Sequence, residues 1–117
     1  MSTVHGGTKG KRRASEITQI WKRYKTTQDD TYRNELIEHY LLLVESAAKR
    51  EHSKLPSKID LNDLISAGVS GLIDAIKSFE PARGFKFTTY ASPRIYGSII
   101  DWLRRYSVSL YTFTRSL

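Results

Sequence analysis

Apolar residues recur at helical spacing along most of this chain, and no stretch before the C-terminal tail convincingly shows the alternation of a half-buried strand. The first such set shares one helix face and comprises Ile17, Ile20, Trp21 and Tyr24. The same pattern predicts four helices, at about residues 16–25, 31–53, 60–78 and 88–105. We therefore expect an all-α fold, a small bundle of about four main helices.

Glycine and proline inside two of these helices carry further information. Gly68 and Gly71 lie within the third predicted helix, where each costs up to about 1 kcal/mol relative to alanine. Two such glycines predict the close approach of another helix. Pro93 lies one turn into the fourth helix, so that helix either kinks or restarts with Ser92 as its N-cap. Asp60 is the predicted N-cap of the third helix.

The chain divides into three parts. Residues 1–15 are rich in glycine, lysine and arginine, which predicts a disordered basic tail. Residues 16–106 form the predicted helical domain, and that length suits one folded unit. Residues 107–117 are expected to form an irregular tail with little order.

The net charge of +7 is unevenly distributed over these parts. Residues 1–15 carry +4, residues 16–80 carry −2 and residues 81–117 carry +5. A basic end favours a polyanionic partner such as nucleic acid, whereas a surplus of acidic residues in the middle favours a different partner there. The alternative interpretation is an ordinary solvated surface.

Several classes of protein are excluded by what the sequence lacks. Without cysteine there is no disulfide framework and no cysteine-ligated metal site. The histidines His5, His39 and His52 do not have the spacing of a zinc protease, and a calcium loop starting at Asp60 would place Ile65 where glycine is needed. We expect no enzyme, cofactor or metal. The longest apolar run is five residues, so we expect no membrane segment and no signal peptide.

The segment FEPARGFKFTTYA at residues 79–91, followed by Arg94, combines aromatic and basic side chains. Single-stranded nucleic acid is held by this mixture, because cations follow the phosphates while aromatic rings stack on bases. The alternative is that the aromatic rings belong to the core, an interpretation that we favour for Phe79 and Phe87. The spacing leaves the exposure of Phe85 and Tyr90 open.

The sequence from Ile59 to Ala91 closely resembles region 2 of bacterial RNA polymerase sigma factors, and the stretch RIYGSIIDWLR at 94–104 resembles their flagellar and sporulation branch. The helix around residues 17–40 is similar to the N-terminal segment of that branch. The resemblance covers about residues 16–106. It implies a helical module that binds polymerase core and recognises and melts the promoter −10 element.

The resemblance implies two contact surfaces. The helix that starts at Asp60 corresponds to the element that grips the clamp helices of the largest polymerase subunit, with contacts from Asp63, Leu64, Ser66, Ala67 and Ser70. Residues 83–90 correspond to the segment that captures the non-template strand, and Tyr90 to the aromatic that stacks on a flipped adenine. The implied DNA-contacting residues are Arg83, Phe85, Lys86, Phe87, Thr89, Tyr90, Arg94, Tyr96 and Arg104.

The chain departs from the family pattern at several points. Many sigma factors have Gln-Glu where this chain has Ser66 and Ala67, and the branch has arginine at Tyr96 and glutamate at Trp102. The sequence ends without regions 3 and 4. Two alternatives therefore stay open beside the initiation module. One is a truncated decoy that binds the clamp or an anti-sigma factor without opening promoters; the other is a generic basic nucleic-acid binder. For each we expect a cytoplasmic protein, nucleoid-associated when bound to polymerase.

Overall fold

The computed structural model describes the backbone of residues 14–56 and 58–116, and side chains as far as Tyr106. Four α-helices follow one another, α1 (Ala14–Thr27), α2 (Asp30–His52), α3 (Leu61–Ser78) and α4 (Phe87–Ser116), with a short 3-10 turn at Pro81–Arg83 before the last. No β-strand occurs among the described residues. The predicted all-α fold with four main helices is confirmed. The predicted basic tail lies outside the described residues up to position 13, and α1 begins at Ala14, two residues earlier than predicted.

Aspartate side chains fix the starts of α2 and α3. The carboxylate of Asp29 accepts a hydrogen bond from the Thr31 amide at 2.8 Å, and that of Asp60 accepts one from the Asn62 amide at 2.9 Å. Each satisfies one of the amides that the first turn of a helix leaves unpaired. The predicted cap at Asp60 is therefore confirmed. Between α1 and α2 the chain reverses in two residues, with Gln28 in the left-handed region at φ 58°.

α3 packs against both α2 and α4 and forms the centre of the bundle. Its contacts with α4, at Gly71, and with α2, at Gly68, are as close as the two glycines predict. A Cβ atom at Gly71 would lie 2.6 Å from the carbonyl oxygen of Arg94, and one at Gly68 would lie 2.7 Å from Cγ1 of Val44. The largest side chains that the bundle buries completely come from α2, α3 and α4 and are Leu36, Val44, Leu64, Leu72, Ile76, Ile95 and Ile99.

α4 is longer and more regular than the sequence predicts. It passes through Pro93 without interruption, and Ser92 lies inside the helix with its hydroxyl donating to the Thr88 carbonyl at 2.7 Å. The alternative of a restart capped by Ser92 is therefore wrong. The backbone stays helical to Ser116, where an irregular tail from residue 107 is predicted. No glycine or proline follows Gly97 in the sequence, so nothing of that kind ends the helix.

Across the described ranges, the structure contains no helix with the length and low polarity needed to cross a bilayer.

We predict that Gly71→Ala destabilises the fold by about 1–3 kcal/mol, because the new methyl group meets backbone atoms of α4 that cannot rotate away. Urea unfolding followed by circular dichroism measures the change. Ser70→Ala is the matched control: it alters the neighbouring, exposed position of the same helix and should stay within about 0.5 kcal/mol of the wild type. Equal effects of the two variants would contradict the close contact.

Candidate nucleic-acid interface

The loop between α3 and α4 places an aromatic ring in solvent. Pro81 opens the 3-10 turn, and Gly84 closes it in the left-handed region at φ 84°, a conformation that strongly favours glycine. The chain then leads directly to Phe85, whose side chain is 70% exposed. Arg83 and Lys86 on either side are also exposed. Of the two readings that the spacing leaves open for Phe85, the structure therefore selects exposure.

A cluster of aromatic rings lies beneath this loop. Phe79 and Phe87 are buried, with ring centroids 5.2 Å apart, and each lies within about 5.3 Å of the Trp21 ring. Tyr40 from α2 lies 4.4 Å from Phe87. The prediction that Phe79 and Phe87 belong to the core is confirmed by their burial. Phe87 is correspondingly removed from the candidate DNA contacts, because its ring is enclosed by the cluster.

One hydrogen bond inside the cluster joins α1 to α2. The indole Nε1–H of Trp21 donates to the Tyr40 hydroxyl at 3.1 Å. Burial raises the pKa of Tyr40 above its usual value of 10.0, while this hydrogen bond acts in the opposite direction. Sequence reasoning assigned both residues to helix faces but did not pair them, because the pairing depends on how α1 crosses α2.

A lysine of α1 closes the end of α3. Lys25 Nζ donates to the carbonyl of Lys77 at 3.1 Å and to that of Ile76 at 3.4 Å. These are carbonyls of the last turn of α3, where a cation is favourable because of both the free acceptors and the helix dipole. Lys25 thereby ties α1 to the point where the loop begins. The sequence carries no signal for this contact beyond a lysine in an amphipathic helix.

Tyr90 and Arg94, one turn apart on α4, form a stacked pair. The guanidinium carbon of Arg94 lies 3.8 Å from the centroid of the Tyr90 ring, and its Nη1 donates to the Tyr90 carbonyl at 3.1 Å. The ring of Phe79 lies 5.3 Å from that of Tyr90. Tyr90 is half-buried, and the Arg94 guanidinium covers one face of its ring. The cover is a cation–π contact, not part of the core.

The structure therefore brings together a basic–aromatic surface made of Arg83, Phe85, Lys86, Thr89, Tyr90 and Arg94. Two further predicted contacts, Tyr96 and Arg104, are exposed farther along α4. Tyr96 follows Thr89 by seven residues and therefore shares its side of the helix, about 10 Å farther along the axis. Arg104 lies ten residues beyond Arg94, toward the end of the described side chains.

The residues predicted to contact polymerase lie on α3. Asp63, Ser66 and Ser70 are exposed and spaced three and four residues apart, so they share one helix face, with Ala67 half-buried beside them. We call these four residues the α3 polar face. Leu64 does not belong to it, because its side chain is fully buried between the helices. That prediction is corrected: Leu64 supports the helix from within the core and has no surface to offer a partner.

No cluster of three or more potential metal-ligating residues occurs within the described ranges. The polar groups of the two surfaces are cations, hydroxyls and single carboxylates. Stacking and phosphate pairing are available at the loop, and polar docking is available on α3.

Residues 36–108 match the protein family described as Sigma-70 region 2. RNA polymerase sigma-D factor of Bacillus subtilis (strain 168) is 42% identical over 86 residues, which are 74% of this chain and 34% of that protein. RNA polymerase sigma factor FliA of Yersinia enterocolitica is 40% identical over 72 residues, 62% of this chain and 31% of the relative. The FliA factor of Pseudomonas aeruginosa is 34% identical over 82 residues, 70% and 33% of the two chains. The chain thus spans about a third of the length of the curated relatives it matches.

The raised pKa of Tyr40 predicts a loss of stability at alkaline pH. The neutral hydroxyl is favoured in the folded state, so this contribution is complete below about pH 10 and is lost as pH rises through the folded-state pKa. Tyr40→Phe should remove that part of the alkaline dependence. At pH 7 it should cost about 1–3 kcal/mol, because the Trp21 N–H loses its acceptor.

Urea unfolding between pH 7 and pH 11 measures both effects. Tyr96→Phe, which alters an exposed hydroxyl, serves as the control and should follow the wild-type curve. Identical pH dependence of Tyr40→Phe and the wild type would show that the buried hydroxyl does not titrate with unfolding.

Proposed function

This chain belongs to the Sigma-70 region 2 family, and its sequence is similar to sigma factors of the flagellar type. On that premise we propose that it is a transcription initiation module. In this proposal residues 16–106 bind RNA polymerase core through α3 and hold the melted −10 element of a promoter on the basic–aromatic surface. The module would act in the cytoplasm, on the nucleoid when polymerase carries it there. No catalytic step belongs to it.

The proposal is carried by one observation, the exposure of Phe85 between two cations. A large apolar ring that is 70% exposed gains little from the protein's own interior. Stacking a base on such a ring gains about 1–3 kcal/mol, which is comparable to the few kcal/mol needed to take a base out of a duplex. Arg83 and Lys86 are placed to hold the phosphates of the same strand. Strand capture at this loop therefore favours the open state of the DNA without a nucleotide cofactor.

Tyr90 takes part in this proposal only after a rearrangement. Its ring faces Phe79 on the inner side, and the Arg94 guanidinium covers the outer side. A base that stacks on Tyr90 must first displace Arg94. The arginine side chain is exposed and can turn outward, where its charge meets phosphate instead of the ring. Phe85 would then bind the −10 strand first, and Tyr90 would bind it after Arg94 has left the ring.

The α3 polar face supplies the docking surface for polymerase in this proposal. Asp63 is its carboxylate, and Ser66 and Ser70 continue it along one side of α3. Because α3 packs against both α2 and α4, a partner bound to this face is connected to the rest of the domain through the central helix. We propose that the clamp helices of the largest polymerase subunit bind here, with a cation opposite Asp63.

We predict that Asp63→Lys weakens binding to polymerase core by about tenfold or more, because a cation would then face a cation. Titration of core with the fluorescently labelled chain measures the dissociation constant. Glu38→Lys is the matched control, with the same charge reversal at an exposed position of α2, and should bind as the wild type does. Equal loss in both variants would point to general charge attraction and contradict a specific docking face.

We predict that Phe85→Ala weakens binding of a single-stranded −10 oligonucleotide to the chain–core complex by about fivefold to a hundredfold, the loss expected for one stacked base. Leu42→Ala removes an apolar side chain of similar exposure from α2 and should leave the affinity unchanged. Both variants should unfold at the wild-type urea concentration, since neither side chain is buried.

The same titration separates the proposal from its alternatives. A chain that binds core but no −10 strand would be a decoy on the clamp. A chain that binds −10 and scrambled oligonucleotides equally, with both affinities reduced by Phe85→Ala, would be a generic single-strand binder. Either outcome would overturn the initiation module.

A further inference from the structure

α4 continues beyond the point where α3 begins. The two helices run antiparallel, since a Cβ atom at Gly71 would lie 2.6 Å from the Arg94 carbonyl and one at Gly68 would lie 3.3 Å from the side chain of Ile99. Seven residues before Gly68, the start of α3 at Leu61 is therefore level with about residues 104–106 of α4. The backbone of α4 nevertheless stays helical as far as Ser116.

We call residues 107–116 the α4 extension, a helical stretch about 15 Å long. Its composition does not favour a helix. Leu110 and Arg115 are its only strong helix formers, and the other positions are serine, threonine, valine, tyrosine and phenylalanine. A helix of such composition is stabilised by packing of an apolar face more than by propensity. The helical form of the α4 extension therefore indicates a surface against which it packs.

An apolar stripe runs from the bundle into the α4 extension. Leu103, Tyr106, Leu110 and Phe113 follow one another at intervals of three, four and three residues, the spacing of a and d positions in a two-helix coiled coil. We call these four positions the α4 seam. Leu103 and Tyr106 are half-buried at the end of the bundle. The seam continues that face of α4 past the start of α3.

The spacing of the α4 seam is the same when it is read from either end. Two antiparallel copies of α4 therefore align all four positions at once, with Leu103 level with Phe113 of the second copy and Tyr106 level with its Leu110. Each pair joins an a position to a d position. An interface of this kind uses the same surface of both chains, as two-fold symmetry requires.

The charges of this region are placed so that two identical copies can meet. The e and g positions that flank the seam in the α4 extension are uncharged and are Ser107, Ser109, Thr114 and Ser116. The b, c and f positions, which lie away from the seam, carry the cations Arg104, Arg105 and Arg115. Charges at flanking positions decide which coiled-coil partners are accepted. Here they raise no repulsion along the seam between a chain and its own copy.

We infer that the α4 extension binds the α4 extension of a second copy of this chain, as an antiparallel pair of helices joined along the α4 seam. Eight apolar side chains, four of them aromatic, bury roughly 1,000 Å² between the copies, about the smallest area of a specific interface. The dimer therefore has a dissociation constant in the micromolar range. This inference goes beyond the proposed function and does not depend on it.

Sedimentation equilibrium of the full chain, from low to high micromolar concentration, measures the dimer. We expect Leu110→Glu to weaken it by about a hundredfold, because two-fold symmetry introduces the carboxylate into the seam twice. Val108→Glu is the matched control, which adds the same charge at an f position of the α4 extension and should dimerise as the wild type does. Urea unfolding of dilute protein should give both variants the wild-type midpoint, because neither position lies within the bundle.

Single cysteines report the orientation of the helices, since the sequence contains none of its own. Antiparallel pairing brings residue 103 of one copy beside residue 113 of the other, and it separates the two copies of residue 103 by about 15 Å along the axis. Under mild oxidation, a mixture of Leu103→Cys and Phe113→Cys should form a mixed disulfide. Either variant alone should form a disulfide far more slowly.

Three results would overturn the inference. They are a chain that stays monomeric at high micromolar concentration, a dimer that Leu110→Glu leaves intact, and faster disulfide formation in either cysteine variant alone than in the mixture. A monomer whose affinity for polymerase core falls with Leu110→Glu but not with Val108→Glu would assign the seam to polymerase instead. The tests of the proposed function through Asp63→Lys and Phe85→Ala are independent of all these results.

Discussion

The backbone contact between α3 and α4 at Gly71 determines how the α3 polar face lies relative to the basic–aromatic surface. The atom that lies against Gly71 is the carbonyl oxygen of Arg94, and the side chain of the same residue covers Tyr90. Arg94 thus takes part both in a packing contact of the core and in the basic–aromatic surface. Because neither backbone can shift without the other, the α3 polar face and the basic–aromatic surface keep a fixed separation. In the proposed function, a partner bound at one surface would therefore position the other.

α1 stabilises the loop from the opposite side. Trp21 contributes to the aromatic cluster below Phe87, and Lys25 closes the end of α3. Both residues precede residue 36, where the match to the family begins. The loop therefore depends on a helix that the family match does not include. Aromatic rings from α1, α2 and α4 pack beneath the loop. Lys25 donates to two carbonyl groups at the end of α3, where the loop begins.

Local patterns predicted the parts of this structure that depend on local physics. Helical spacing located four helices, Asp60 was recognisable as a cap, and paired glycines indicated close helix packing. Pro93 was harder, because tertiary contacts of Ala91 and Ile95 hold the helix together despite the missing hydrogen bond. The family resemblance assigned Leu64 as a contact from its aligned position alone, which carries no information on whether the side chain is buried. The cover over Tyr90 depends on a side-chain rotamer, which spacing does not determine.

If Tyr90 stacks a base as proposed, its pairing with Arg94 affects which bases the ring holds. A cation–π contact at a partly exposed site is worth about 0.5–1 kcal/mol, and a stacked base about 1–3 kcal/mol. A base that enters must gain more on the ring than the guanidinium loses by leaving. The covering arginine thus leaves a weakly stacking base with almost no net gain, whereas a base with a large ring system keeps most of its stacking energy. Discrimination between bases would then begin before any hydrogen bond to a base edge is made.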